Sequence, residues 1–344
     1  MLLPSFQHGR VVRAGLPYAI TAVLVALIGF NGLLTVWLLS NTLFPMIPGM
    51  VSSMTRSGMP PPAENTAVET STTPTGTTTT SNQPVIEPVI EPAVNISTID
   101  DGQFVFGDKV AVIIEIDAYT VQNLFPIMLH FSTVLGPEWP VVLLTMRDKW
   151  HMPKSPPMLR ALESGRIRVM FLPDDTDFYD HRAVSVFMTR PWLWETMSSA
   201  GRVLLFQPDS ILCVNADVRA DDFLEWDYLG APILPGMGSG YNGGLSIRNP
   251  RIFLQIAMTH DFETETRGEN AFEDQWFYHK IKDIPDVKLP DAEVAKWFST
   301  ETTFNPHSLG FHQPRRWLKK EQADEAQKWC PEIGMMINSR FVPS

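Results

Sequence analysis

From Val110 to Phe206, short apolar runs alternate with stretches of helical periodicity, and this alternation restricts the head of the chain to a layered α/β arrangement. Val110–Ile116 (VAVIIEI), Val141–Leu144, Ile167–Leu172 and Val203–Phe206 are the apolar runs. They fit strands covered on both faces, as in a parallel sheet. Between them, Gln122–Leu135 places Leu124, Ile127, Met128, Phe131 and Leu135 on one side of a helix. Ser155–Glu163 reads as a second helix. Arg182–Ser199 reads as a helical region interrupted at Pro191. The cluster Asp174, Asp175 and Asp177 reads as a turn.

The last of these strands opens Arg202–Cys213 (RVLLFQPDSILC). The chain turns polar at Gln207 and apolar again at Ile211, so Asp209 sits where a buried strand emerges. In open α/β sheets ligands bind at that edge. A carboxylate there can hold a divalent cation, accept a hydrogen bond from a ligand, or simply close a turn beside Pro208. Past Asp209 the alternation gives way to glycine-rich loops, short strands and helices, as expected where a substrate site is built on a sheet edge.

Three later stretches carry candidate chemistry. Asp227–Arg248 (DYLGAPILPGMGSGYNGGLSIR) has glycines at 236, 238, 240, 243 and 244, which let backbone approach a ligand closely. It has neither the strand–GxGxxG–helix order of a dinucleotide fingerprint nor a Walker lysine. Asn242 offers both donor and acceptor groups, as sugar hydroxyls require; an ordinary glycine-rich hairpin is the plainer reading. Glu273-Asp274 opens a helix whose Phe272, Trp276, Phe277 and Ile281 suit one face. The helix dipole favours carboxylates there, and two of them in a pocket can divide the work of general base and substrate orienter. Phe304–Trp317 (FNPHSLGFHQPRRW) reads as a Pro- and Gly-rich loop. In it, His307 and His312 are potential metal ligands, and Arg315 and Arg316 face diphosphate or solvent.

The N-terminal hundred residues have a different chemistry. Ala14–Leu39 contains no charge and is long enough to span a bilayer. Arg10 and Arg13 precede it and no positive charge follows until Arg56, which directs residues 1–13 to the cytosol and the rest to the lumen or outside. We read a type II signal anchor. Residues 40–100, with Pro60–Pro62, the hydroxyl-rich Thr70–Ser81 and the PVIEPVIEP repeat, read as a disordered and O-glycosylated stem. Asn95-Ile96-Ser97 is an N-glycosylation sequon. Residues 101–344 are then the globular head. A net charge of −11 argues against nucleic acid as a partner. The two cysteines, Cys213 and Cys330, form no metal cluster, and sequence alone does not pair them.

Taken together, FQPDSILC, DYLGAP, YNGGLSIR, EDQWF and GFH resemble an uncharacterised glycosyltransferase-like family common in fungi, across roughly Val110–Trp317. That family is in turn similar to the GT-A fold, an α/β nucleotide-sugar-binding domain with a mostly parallel sheet flanked by helices. The resemblance implies a transferase moving a sugar from a nucleotide-sugar donor to a glycan or glycoprotein acceptor, and the layout of anchor, stem and head is that of Golgi or other secretory-pathway enzymes and also of some surface receptors. The resemblance implies Mn²⁺ or Mg²⁺ as cofactor. The family's Asp-x-Asp corresponds to Gln207-Pro208-Asp209, in which only Asp209 is acidic. The resemblance maps Asp209 and His312 to the metal and Gln207 and Asp209 to the donor diphosphate. Asn242, Gly243 and Gly244 map to the floor beneath the sugars, and Glu273 and Asp274 to the acid pair at the acceptor hydroxyl. Two other classes fit parts of the sequence: a GT-A-like carbohydrate binder without turnover, and a stalked surface protein.

Overall fold

The computed structural model describes residues 99–100, 104–267 and 271–336. The expected cytosolic tail, the anchor Ala14–Leu39 and the stem up to residue 98, with its sequon, lie outside the described residues. Among the described residues no helix is long and apolar enough to cross a membrane.

The strands are β1 Ile99–Asp100, β2 Lys109–Ile114, β3 Val141–Thr145, β4 Ile167–Phe171, β5 Arg202–Phe206, β6 Ser210–Leu212, β7 Tyr228–Pro232, β8 Tyr241–Arg248, β9 Ser299–Thr300 and β10 Gly310–His312. The longer helices are α1 Leu124–Leu135, α2 Pro156–Glu163, α3 His181–Thr189, α4 Pro191–Met197, α5 Pro250–Thr259, α6 Glu273–Ile281, α7 Ala292–Phe298 and α8 Lys320–Trp329. Seven strands form one sheet in the order β1-β4-β3-β2-β5-β8-β7. Pairing is parallel from β1 to β5 and antiparallel from β5 through β8 to β7. The architecture is α/β and mostly parallel, as expected. The sheet takes in Ile99–Asp100, two residues ahead of the expected start of the head.

The strands are apolar without interruption because helices cover both faces. Ala111, Ile113, Val141, Leu143, Leu204 and Phe206 face a layer that contains Phe131 of α1 and Leu162 of α2. Their neighbours Val110, Val112, Val142, Leu144, Val203 and Leu205 face Trp194 of α4, Phe253 of α5 and Phe277 of α6. Period-two alternation therefore places apolar residues in two different cores. Helix starts follow local chemistry. Pro156, Pro191 and Pro250 occupy the first helical turns, where a missing N–H costs nothing. Asp180 caps α3 by accepting from the Ala183 N–H, and Asp291 caps α7 from Val294.

A second, three-stranded sheet, β6-β10-β9, is built from the segment just after β5 and from the C-terminal part of the chain. β6 and β10 run antiparallel with His312 opposite Ser210. A disulfide joins Cys213, which follows β6, to Cys330, which follows α8, across 117 residues. It closes the question that the sequence leaves open and links the small sheet to the C-terminal helix. Substituting Cys330→Ser should lower the unfolding free energy by about 2–5 kcal/mol in urea denaturation. Unchanged stability would show that packing of Ile333 and Ala326 alone holds that region.

Candidate active site

The site forms where β5 ends. Gln207-Pro208-Asp209 carries the chain from β5 to β6, beyond the C-terminal edge of the parallel strands. The antiparallel β8 brings its N-terminal half to the same edge, with Phe206 opposite Leu245, and the Gln207 N–H donates to the Gly244 carbonyl at 2.9 Å. Against β7 the register slips: Gly230 pairs with Ser246, but Ala231 pairs with Asn242. Gly243, Gly244 and Leu245 therefore have no partner across that ladder and bulge out of it. Bulges of this kind re-aim backbone beside active sites.

The bulge is the meeting point of two buried charged clusters. A Cβ added to Gly244 would lie inside van der Waals contact of the His312 imidazole, and one added to Gly243 inside contact of Arg248, Glu273 and Asp274. Two adjacent glycines are thus the floor on which both clusters converge, with no room for a side chain at either.

The first cluster is Asp209, His312 and Glu301. The His312 ring lies between two carboxylates, Nε2 at 3.3 Å from Asp209 Oδ1 and Nδ1 at 3.2 Å from Glu301 Oε1. Both are ion-pair distances, at angles outside hydrogen-bonding geometry. Burial works against a charge on this ring, but the Asp209 and Glu301 carboxylates outweigh it and push its pKa to about 9. His312 is therefore an imidazolium at neutral pH. Asp209 is fixed from its other side: Gln313, in a left-handed conformation (φ 44°), donates its side-chain amide to Asp209 Oδ2 at 2.6 Å and its backbone N–H to the Asp209 carbonyl. Arg316 in turn donates to Gln313 Oε1.

The second cluster is Glu273, Asp274 and Arg248. Asp274 lies in the first turn of α6 and is 7% exposed. Its Oδ2 accepts from the Gly243 N–H at 2.9 Å and its Oδ1 from the Gln275 N–H at 2.7 Å. Burial, reinforced by the neighbouring Glu273 charge, raises its pKa to about 7 against those bonds. Glu273 Oε1 lies 3.3 Å from Arg248 Nη2.

The structure unites Asp209, Gly243, Gly244, Glu273, Asp274 and His312 at one edge. It also corrects several readings. His312 is in strand β10 and buried, where the sequence suggests a loop, because Phe311 on its N-terminal side is a core residue. His307 is exposed and rests against the Trp329 ring. Phe272 precedes α6 and is 40% exposed, so the buried side of that helix is Asp274, Trp276, Phe277 and Ile281. Asn242 Oδ1 accepts from the Gly244 N–H, a local use of the acceptor assigned to sugar. Arg315 and Arg316 contact Gln327 and Gln313. Asp174-Asp175 is a turn, as read. Sequence reading misses Arg248, Glu301 and Gln313. Arg248 carries one signal: it falls in register with the buried positions of β8.

Asp274 predicts a pH signature. Its pKa is raised from the ordinary 3.8, so the folded state holds its proton more tightly than the unfolded chain does. That contribution is complete below pH ~4 and disappears as pH rises through ~7. The thermal midpoint should fall between pH ~4 and ~7, and Asp274→Asn should flatten that part of the profile while the fall due to His312 above pH ~6.5 remains. Gly244→Ala should destabilise by about 1–3 kcal/mol through overpacking against His312, read by thermal or urea unfolding.

Residues 166–312 match the model of a family described as a protein of unknown function, DUF5672. No curated protein matches the chain in sequence. Among solved structures, it is similar to the glycosyltransferase GlyE of Streptococcus pneumoniae TIGR4, with 16% identity and a TM-score of 0.38 over 63% of this chain and 56% of that one. It is similar to the galactosyltransferase LgtC in complex with donor and acceptor sugar analogs, with 12% identity and a TM-score of 0.34 over 68% and 98%. A third likeness is to core-mannan synthase A of Aspergillus fumigatus in its Mn/GDP form, with 10% identity and a TM-score of 0.29 over 50% and 63%. The chain thus spans a little over half the length of GlyE. The expected resemblance to an uncharacterised family holds: residues 166–312, the part of the chain that builds both charged clusters, carry the DUF5672 match.

Proposed function

We propose that this chain is a glycosyltransferase that moves a sugar from a nucleotide-sugar donor to a hydroxyl of a glycan or glycoprotein acceptor. The observation that carries this reading is the meeting of two buried clusters on Gly243-Gly244, beyond the carboxyl ends of the parallel strands. One cluster has the chemistry to manage a diphosphate, the other to accept a proton. A carboxylic acid with a pKa near working pH is what a general base needs, and Asp274 provides it.

In an inverting reaction the steps balance as follows. The acceptor hydroxyl proton passes to a carboxylate oxygen of Asp274. The hydroxyl oxygen bonds to the anomeric carbon of the donor. The bond from that carbon to the phosphate oxygen breaks, and its electron pair leaves on the diphosphate. Gly243 and Gly244, lacking side chains, let the two clusters close on backbone at the site.

In this reading a divalent cation would bind at the first cluster once His312 gives up its proton. His312 has one ring nitrogen 3.3 Å from Asp209 and the other 3.2 Å from Glu301. Asp209 and His312 would hold it, and when bound it neutralises the diphosphate. Among the described residues no three of His, Cys, Asp and Glu are grouped to hold a metal ion. Two protein ligands suit a cation that takes its remaining oxygens from phosphate and water. Proton and cation compete for His312 Nε2, so affinity should rise with pH.

Residence in the lumen of the secretory pathway, as a single-pass type II protein held by Ala14–Leu39, is part of the same reading. The Cys213–Cys330 disulfide supports it, since such links persist in oxidising compartments. A non-catalytic carbohydrate binder is the second reading, favoured by Gln207 in place of an acid.

Calorimetric titration of the full chain with a panel of nucleotide sugars separates the two. The transferase reading expects one donor to bind at least tenfold more tightly with Mn²⁺ than with a chelator. Asp209→Asn should abolish that difference, and Asp274→Asn should abolish transfer while leaving donor binding intact. Binding of glycans alone, with no donor recognised, would establish the binder instead.

A further inference from the structure

Arg248 is fully buried, and the reaction above gives it no part. Its guanidinium lies 5.7 Å from the ring centroid of Trp194, 5.4 Å from that of Tyr228 and 5.2 Å from that of Phe253. Nε donates to Ser246 Oγ at 3.0 Å, and Nη2 reaches both Glu273 Oε1 at 3.3 Å and the Gly243 carbonyl at 3.4 Å. Nη1 is buried with no hydrogen-bond partner among the described residues.

This is an expensive way to fill a core. A guanidinium keeps its charge at every working pH, and a buried ion pair of this kind is often replaced by apolar side chains without loss of stability. The aromatic rings return part of the cost through their electron-rich faces, but an unmet buried N–H does not serve packing. The position of the charge is the distinguishing fact. It lies under the bulge, in contact with one member of the acid pair and with the carbonyl of the glycine whose N–H binds the other.

We propose that Arg248 is a positioning residue that divides the acid pair: it engages the Glu273 side chain with its guanidinium and leaves Asp274 as the member that accepts and releases a proton. Two adjacent carboxylates in one buried pocket would otherwise share a proton between them. With Glu273 committed to Arg248, the proton taken from the acceptor hydroxyl has one destination, an oxygen of Asp274, and returns to solvent after product leaves. The assignment of that proton's source rests on the transferase reading; the division of the pair does not.

The charged and titratable groups facing Asp274 are Glu273 on its own helix, Arg248 on β8 and Tyr228 on β7, whose hydroxyl donates to the Asp274 carbonyl, with Tyr241 behind it. Lys280, further along α6, and His260 both pair with Glu265.

The test uses the full chain and two readouts. The first, the thermal midpoint against pH, needs no substrate. Wild type should show a fall that ends near pH 7 and that Asp274→Asn removes, distinct from the fall that His312 contributes between about pH 6.5 and 9. Arg248→Met should move the Asp274 step up by at least one pH unit, while Arg248→Lys, which keeps the charge, should move it by less than half a unit. Where Arg248→Met does not fold, Glu273→Gln is compared with the double variant Glu273→Gln/Arg248→Met; removing the cation should again raise the step by at least one unit. The second readout is the pH profile of transfer. Its acid limb should follow the same shifts, with kcat down at least about fivefold at pH 7 in Arg248→Met and acceptor KM within twofold of wild type. A step that stays in place in Arg248→Met, or in the double variant against Glu273→Gln, overturns the proposal. A wild-type chain that shows the step and its shifts but transfers no sugar overturns the transferase reading and leaves the division of the pair standing.

Discussion

Everything at this site depends on backbone standing where side chains cannot. The bulge at Gly243–Leu245 exists because β8 serves two ladders at once, in register with β5 and out of register with β7. The slack between the two registers is pushed out over the sheet edge. What lies against it is charged on both sides, an imidazolium between two carboxylates and a guanidinium beside an acid pair. Charges of this density are tolerable in a core only when each has an opposite partner at close range. The two glycines let that happen by bringing in peptide dipoles without adding bulk.

The two clusters differ in how firmly they are set. Asp209 is held from both oxygens and from its carbonyl, and Gln313 accepts a left-handed backbone to do so. Strain of that kind survives where the surroundings overdetermine it, and it concentrates at functional sites. Asp274 has two backbone N–H partners and yet a raised pKa, because burial outweighs hydrogen bonding. One carboxylate is fixed in position; the other is poised to change its protonation.

The fold was legible because its signal is strong and local. Runs such as VVLLT and RVLLF are buried on both faces, and the helix between Leu124 and Leu135 keeps its apolar side. Motif order brought Asp209, Gly243, Gly244, Glu273, Asp274 and His312 within reach of a single reading. Glu301, Arg248 and Gln313 were not, because each acts through a partner far away in sequence. Glu301 is defined by His312, Arg248 by Glu273, and Gln313 by Asp209 across 104 residues. No local pattern marks a glutamate that will face a histidine. Proline and glycine around His312 suggest a loop, and tertiary pairing with β6 overrides that composition.

The disulfide has a consequence of a different sort. Cys213 and Cys330 close a covalent ring that contains Gly243, Gly244, Arg248, the acid pair, Glu301 and His312, while Asp209 stands four residues outside it. A single protease cut anywhere in that ring opens the loop without separating the pieces. The hairpin tip around Met237 is exposed to such a cut. A nicked molecule would still carry both clusters on one covalent unit, and it would come apart into fragments only under reducing conditions.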